Sequence, residues 1–343
     1  GAVKGLLIEE ARTNLQVQSG DFSNSAWSKS AVTVDTSYVA PDGTSTASKL
    51  TSTGAAGATG VYDANNTGAG KSLTCFMKAG SSGVYGWVEG IVGGASPYAV
   101  FDLESGTVVH SRSCDASIEP VGNGWFRCVV ANTALSISFF SVGGSDNTYA
   151  SGPWGSSDLT QGKFIYAWGA QVEAGSFPTS YIPTTGAAAT RARDIAEIPT
   201  SAFGYNNDKG SLVIDVLTPV ADQTMALAIF NTSSYNNSRG LWKSNSVISA
   251  VGNDFVYQTH DGATTKFSFS QQTQAVYTKL GLSYGDSERA VRDGGTVLSG
   301  DSRYPNPDRL HLGGRGSGYQ SQCWIKSIQY YPRRLTDTQL QEL

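Results

Sequence analysis

Charge is scarce in this sequence. Of its 343 residues only 15% are Asp, Glu, Lys or Arg, against about 25% in ordinary globular domains, so the residues that coat exposed helices are in short supply. Histidine numbers three and cysteine four, with no C-x-x-C spacing among Cys75, Cys114, Cys128 and Cys323. No zinc site is therefore expected, and the cysteines read as buried thiols. No apolar run approaches the roughly 18 residues of a membrane span. The start, Gly1-Ala2-Val3-Lys4-Gly5, lacks the charged-then-apolar layout of a signal peptide. The expectation is a soluble chain without membrane insertion, its beginning cut from something longer. An excess of positive charge is missing as well: 24 basic against 28 acidic side chains give −4. The first 200 residues hold 11 basic and 16 acidic residues and the rest 13 and 12, or −5 and +1. No basic field exists to hold a phosphate backbone, so nucleic acid is not an expected partner.

What is present is enough apolar and aromatic material, 39% and 10%, to fill a large core, the condition that disordered chains fail. At about 100 to 200 residues per domain the length predicts two domains. Amphipathic helix patterns are almost absent before the last dozen residues, while short β-branched and aromatic runs recur between Gly, Asn, Asp and Ser clusters. The predicted strands are Leu73 to Met77, Val84 to Val88, Tyr98 to Leu103, Thr107 to Ser111, Trp125 to Ala131, Ser136 to Val142 and Phe164 to Glu173. Asn123-Gly124 and Glu104-Ser105-Gly106 supply turns between them. Such spacing predicts a sandwich of two interdigitating sheets.

The small, featureless stretch Thr184 to Thr190 after Pro183 suits a domain junction near Gly186. Beyond it the predicted strands are Asp194 to Ile198, Ser211 to Leu217, Met225 to Phe230, Val247 to Val251, Phe255 to Thr259, Thr265 to Ser270, Tyr277 to Tyr284, Arg289 to Arg292 and Cys323 to Tyr331. In Lys266-Phe267-Ser268-Phe269-Ser270 the alternation points the phenylalanines at a core and the serines at water. A short closing helix is predicted from Leu335 to Leu343, with Thr336 and Gln339 at capping-box spacing. The expected organisation is a connecting segment over 1–14, one sandwich over 15–186 and a second over 187–343.

Particular residues then resemble known families. Gly5-Leu6-Leu7-Ile8-Glu9-Glu10-Ala11-Arg12-Thr13-Asn14-Leu15, Phe22, Trp27, Pro41-Asp42-Gly43-Thr44, Gly122-Asn123-Gly124-Trp125-Phe126-Arg127, Ala167 to Glu173 and Thr179-Ser180-Tyr181-Ile182-Pro183-Thr184 resemble bacteriophage tail-fibre and related virion proteins. Residues 5–184 thus look like a jelly-roll module similar to carbohydrate-binding modules. Tyr277 to Tyr284, Asp293-Gly294, Leu310 to Gly314, Ile325 to Tyr331 and Leu335-Thr336-Asp337 resemble the concanavalin A-like, laminin G-like sandwich. The resemblance implies an all-β chain on a phage particle, made in the bacterial cytoplasm, that attaches to host cell-surface polysaccharide alongside other virion proteins. Both resembled folds often hold calcium, so a structural ion between Asp21 and Glu173 is carried as a side expectation. These are framework motifs and single out no ligand.

Catalysis has no visible home in the sequence. No E-x-D-x-x-E or E-x-D-x-E strand of a concanavalin A-like hydrolase occurs, and Asp286 and Glu288 read as a solvated turn in Gly285-Asp286-Ser287-Glu288-Arg289. His260, beside Asp261 and near Tyr257, is the one lyase-like group, but Asp261-Gly262 reads first as a hairpin turn. No G-x-S-x-G elbow or phosphate-cradling glycine loop precedes a helix. The chain therefore reads as a non-enzyme. Sugars offer flat C–H faces ringed by hydroxyls, so exposed rings beside polar groups are the sites to seek. Candidates are Trp87 with Tyr85 and Glu89, Trp154 in its Gly-Pro loop, Tyr235 with Trp242 around a polar Asn/Ser loop, and Tyr304. Trp125 and Trp168 read as core. A purely structural decoration or oligomerisation module is the alternative, and a capsule depolymerase a weaker one. Because single glycan sites bind weakly and copies raise avidity, a homo-oligomer is expected, a trimer favoured.

Overall fold

Runs of β-branched and aromatic residues too short for helices pair into antiparallel sheets throughout the described residues. The computed structural model describes residues 4–64, 71–91, 96–131, 137–148, 159–218, 225–232, 237–243, 254–260, 264–271, 276–301, 303, 305–314 and 322–343. Its residues separate into two units, one over 12–191 and the other over 2–11 together with 192–343.

In the first unit one six-stranded sheet runs Thr107–Arg112, Tyr98–Asp102, Tyr85–Ile91, Phe139–Ser145, Gly60–Asp63, Ser28–Ser30. The other runs Asp115–Gly122, Trp125–Ala131, Lys71–Ala79, Phe164–Ala174, Ala47–Ser52, Val32–Tyr38. Alternate residues of both fill one core containing Leu73, Cys75, Met77, Phe101, Cys128, Phe140, Val142 and Ile165. Asn123 and Gly124 both take positive φ, 52° and 76°, joining Asp115–Gly122 to Trp125–Ala131 through the tight turn the sequence predicts. Cys75 and Cys128 face each other in register. Burial pushes the Cys75 thiol up to about 12 and the Cys128 thiol well above its ordinary value, because neither can ionise in that core.

The second unit has a sheet Leu6–Ile8, Cys323–Tyr331, Gly210–Leu217, Tyr277–Tyr284, Glu288–Arg292, Leu298–Gly300 and another Ala196–Pro199, Arg309–Leu312, Met225–Asn231, Ser238–Lys243, Asp254–His260, Thr264–Gln271. Phe267 and Phe269 pack partly buried against its core while Ser268 is exposed, following the alternation. The opening residues, expected as a connector, are strands: Leu6–Ile8 pairs with Cys323–Tyr331, and Arg12–Asn14 pairs with Ala189–Arg191. Asp337–Gln341 is helical, and Thr336 and Gln339 satisfy each other's backbone N–H groups at 3.2 and 3.1 Å. Leu340 of this helix is buried against Val291 and Leu335. The chain is nearly all β, with sandwiches of antiparallel sheets and one short C-terminal helix. Among the described residues no helix is long and apolar enough to cross a membrane. The predicted strand Val247 to Val251 lies outside the described residues.

Candidate functional site

Strand alternation in the first unit places rings on both faces of the sheet that contains Lys71–Ala79. Leu73, Cys75 and Met77 enter the main core, which turns Phe76 and Lys78 to the opposite face. Likewise Ile165 and Ala167 point inward, which turns Tyr166 and Trp168 outward. The outward rings form a separate cluster: Phe76, Trp125 and Trp168 buried, with Tyr38, Tyr166 and Tyr181 packed partly buried beside them. Trp168 is held by its indole N–H, which donates to the Thr46 hydroxyl at 2.9 Å, and by Tyr181 at 4.5 Å between ring centroids.

Part of this cluster stays open. A hollow of about 190 Å³ is lined by Tyr38, Val39, Lys78, Trp125 and Tyr166. Tyr166 is the register partner of both Lys78 and Lys49, and Trp125 precedes Phe126, whose antiparallel partner is Met77, which sets Trp125 beside Lys78. A cross-strand row of ring, cation, ring, cation results. Tyr166 lies 5.1 Å from Tyr38 and 6.4 Å from Trp125 between centroids. The Lys49 ammonium sits 4.2 Å from the Phe164 ring centroid. Val39, 64% exposed, forms the lip. The Asn123-Gly124 turn fixes where Trp125 begins its strand, and a Cβ at Gly124 would touch Lys78 Cε at 3.4 Å.

The strand Val32–Tyr38 bulges between Asp35 and Tyr38, with Ser37 at φ 74°. Across this bulge successive residues serve two hollows: Tyr38 and Val39 line the aromatic one, while Thr36 and Ser37 line a polar one of about 340 Å³. Gln18, Asp21, Ser23, Ser45, Thr46 and Thr184 complete the polar hollow. An aromatic seat and a hydroxyl-rich hollow thus meet at one edge strand, the pairing of apolar plane and polar fringe that a sugar demands.

Several sequence-predicted site residues are corrected. Trp87 is fully buried. Its indole N–H donates to the Gly144 carbonyl at 3.2 Å, and its ring lies so close over Gly60 and Gly143 that a Cβ at either would collide with it. Trp242 is also buried, packed with Ala226, Ile229 and Val256. Tyr85 is half-buried against Trp87, Tyr98 and Val100, and Glu89 is buried. Trp154, Tyr235 and Tyr304 lie outside the described residues. The pair Asp21 and Glu173 does not make a metal centre: the buried Glu173 carboxylate accepts from Thr179 N at 2.9 Å, the Thr179 hydroxyl at 2.5 Å and Gln171 Nε2 at 2.7 Å. Asp21, exposed, accepts from Ser23 N at 2.9 Å instead. Among the described residues no three His, Cys, Asp or Glu side chains gather to hold a metal. Trp125 and Trp168 are buried as read, but on the sheet's outward face.

Glu288 is a further correction. Read as part of a solvated turn, it opens the strand Glu288–Arg292 with its side chain in the second unit's interior. It accepts from Arg239 Nη2 at 3.2 Å, from Arg303 N at 3.2 Å and from the Tyr257 hydroxyl, which also bonds Thr259. Arg239 stacks over Tyr284 at 3.6 Å and donates to Tyr205 Oη at 3.1 Å. Burial pushes the Glu288 carboxyl up, against the opposing pull of Arg239. Tyr257 is buried in the same centre, which removes it from any surface cluster with His260. Asp286 is exposed. This ionic centre offers no access to a ligand and serves the fold.

No family model matches the chain, and no curated protein does either. Solved structures that resemble it include the NanB sialidase of Streptococcus pneumoniae, at 15% identity and TM-score 0.35 over 43% of this chain and 26% of that one. The chain thus spans about a quarter of NanB. The Ruminococcus gnavus IT-sialidase CBM40, bound to α2,3-sialyllactose, matches at 15% identity and TM-score 0.35 over 43% of this chain and 95% of that one. The botulinum neurotoxin type G receptor binding domain matches at 11% identity and TM-score 0.30, over 40% of each chain. Carbohydrate-binding and receptor-binding domains are thus among the structures it resembles. At these values the likenesses bear no weight on the site.

Proposed function

We propose that residues 12–191 bind carbohydrate without cleaving it, seating a sugar on Tyr38 and Tyr166 beside Lys78, with the buried Trp125 backing the seat. The observation that carries this reading is the open aromatic hollow, which couples half-buried tyrosine rings to a neighbouring hollow rich in hydroxyls. Half-buried tyrosine rings at an open hollow offer the flat apolar surface that the C–H face of a sugar covers. The hollow, about 190 Å³, is smaller than the roughly 300–1,000 Å³ of a typical small-molecule pocket. It therefore fits one residue of a longer glycan, and single-site affinity is low. Repeated copies compensate through avidity, which favours a homo-oligomer. In full, the reading is a bacteriophage tail-fibre or spike protein, displayed on the virion with other virion proteins, that attaches to host cell-surface polysaccharide. A concanavalin A-like second sandwich accompanies the glycan-binding one. A glycan array followed by titration of the best ligand tests it. Tyr166→Ala is expected to weaken binding about tenfold or more, as loss of a central aromatic contact does. An array blank for every glycan, or a Tyr166→Ala variant that binds as the parent does, contradicts it.

A further inference from the structure

The aromatic hollow is not neutral. Two lysines interrupt its rings, and in the register of the sheet both stand directly opposite Tyr166, Lys78 on one side and Lys49 on the other. Lys78 lines the hollow itself. Among the described residues neither ammonium lies within salt-bridge distance of a carboxylate, although Asp35 is the register partner of Lys49. Elsewhere in the unit Lys163 reaches Asp146 at 2.8 Å. Lys78 is half-buried, so its ammonium sits where a partner charge is screened less than in open water. Its stem and ammonium lie over the turn that precedes Trp125, 3.4 to 3.9 Å from where a Gly124 Cβ would stand, which keeps the charge at one end of the hollow.

We infer that this hollow selects an acidic sugar, a carboxylate-bearing residue such as a hexuronate within a polysaccharide. The sugar's C–H face lies on Tyr38 and Tyr166 and its carboxylate meets the Lys78 ammonium, with Lys49 contributing charge from the far side of Tyr166. The inference rests on the carbohydrate-binding reading given above and names the class of ligand for that site. A carboxylate on a pyranose ring lies in or near the ring plane, at its rim. The row alternates rings and cations across neighbouring strands, which about 4.8 Å separates. A sugar stacked on one ring therefore presents its rim to the next position, where the lysine stands. A neutral sugar satisfies only the rings and leaves the ammonium to water.

The test compares acidic polysaccharides, namely polygalacturonate, alginate and hyaluronate, with the same polymers after chemical reduction of their carboxyls to alcohols. Each is titrated against the full chain and against Lys78→Gln and Tyr166→Ala. The expected result is at least one acidic polymer bound about tenfold or more tighter than its reduced form, the difference shrinking as salt is raised. Lys78→Gln is expected to lose that difference while binding the reduced polymer as the parent does. Tyr166→Ala is expected to lose both. Equal binding of acidic and reduced polymers by the parent, with Tyr166→Ala still deleterious, overturns the acidic preference and leaves carbohydrate binding standing. A preference that persists in Lys78→Gln overturns the assignment to this hollow. No binding of any polymer, together with a blank array, overturns both.

Discussion

Arg239 and Glu288 meet at 3.2 Å in the interior of the second unit with neither side chain exposed to solvent. Forty-nine residues separate them in sequence, and strands of opposite sheets, Ser238–Lys243 and Glu288–Arg292, bring them together. Desolvating both charges is expensive, and the cost is offset because Tyr205, Tyr257, Arg303 and the Tyr284 ring complete the surroundings. Removing one partner strands the other. Glu288→Gln is expected to destabilise the fold by about 3 kcal/mol, whereas the double change Arg239→Met with Glu288→Leu is expected to recover most of it. Urea unfolding of the three proteins measures this, and a single variant as stable as the parent contradicts it.

The same centre predicts sensitivity to alkali. Burial holds the phenols of Tyr205, Tyr257 and Tyr284 above their ordinary range. Unfolded phenols ionise near about pH 10. The folded chain therefore keeps protons that the unfolded chain releases, and stability that is intact below about pH 10 is lost as pH rises beyond it. The Cys323 thiol, pushed up to about 12 by burial, adds a loss of the same sign from lower pH. Tyr284→Phe sacrifices hydrogen bonds to Asn206 O and Tyr330, costing about 1 kcal/mol near neutrality. Its stability is expected to fall less steeply above about pH 10, by up to about 1.4 kcal/mol per pH unit. Parallel stability curves for parent and variant contradict the assignment.

Trp87 is a packing residue, and this has its own consequence. A Cβ at Gly143 would stand 2.3 Å from the Thr59 carbonyl oxygen and 2.4 Å from Trp87 Cζ2. Gly143→Ala is therefore expected to lower the melting temperature of the first unit, with a cost of about 1–3 kcal/mol from forced overpacking. Glycan affinity of the folded fraction is expected to stay at the parental value. A Gly143→Ala protein with unchanged melting, or one that melts normally and loses glycan, contradicts this placement.

Much of the strand inventory was legible because alternation and turn chemistry are local. Asn123-Gly124 announced its hairpin, and Tyr277–Tyr284 and Cys323–Tyr331 fell where their apolar runs lie. The strands that escaped are short or polar, such as Ser28–Ser30, Val32–Tyr38 and Arg12–Asn14, whose pairing is decided by neighbours distant in sequence. Glu288 reads as a turn residue for the same reason: Gly285-Asp286-Ser287 is turn chemistry, and nothing nearby reveals Arg239. The aromatic hollow was half visible. Trp125 reads as a core ring from its strand, while nothing local to Tyr38, Lys78 and Tyr166 marks them. The usable signal lay in strands apolar on both faces, where Phe76 alternates with Cys75 and Tyr166 with Ile165. A sheet that buries one face and still carries rings on the other has a second surface to cover.

Sugar is expected to sit on Tyr38 and Tyr166 beside Lys78. A crystal structure of the chain with an oligosaccharide of the tightest-binding acidic polymer tests it most directly. The expected result is a pyranose ring stacked in that hollow with its carboxylate at the Lys78 ammonium. Sugar ordered elsewhere on the chain, with the hollow holding only solvent, would contradict it.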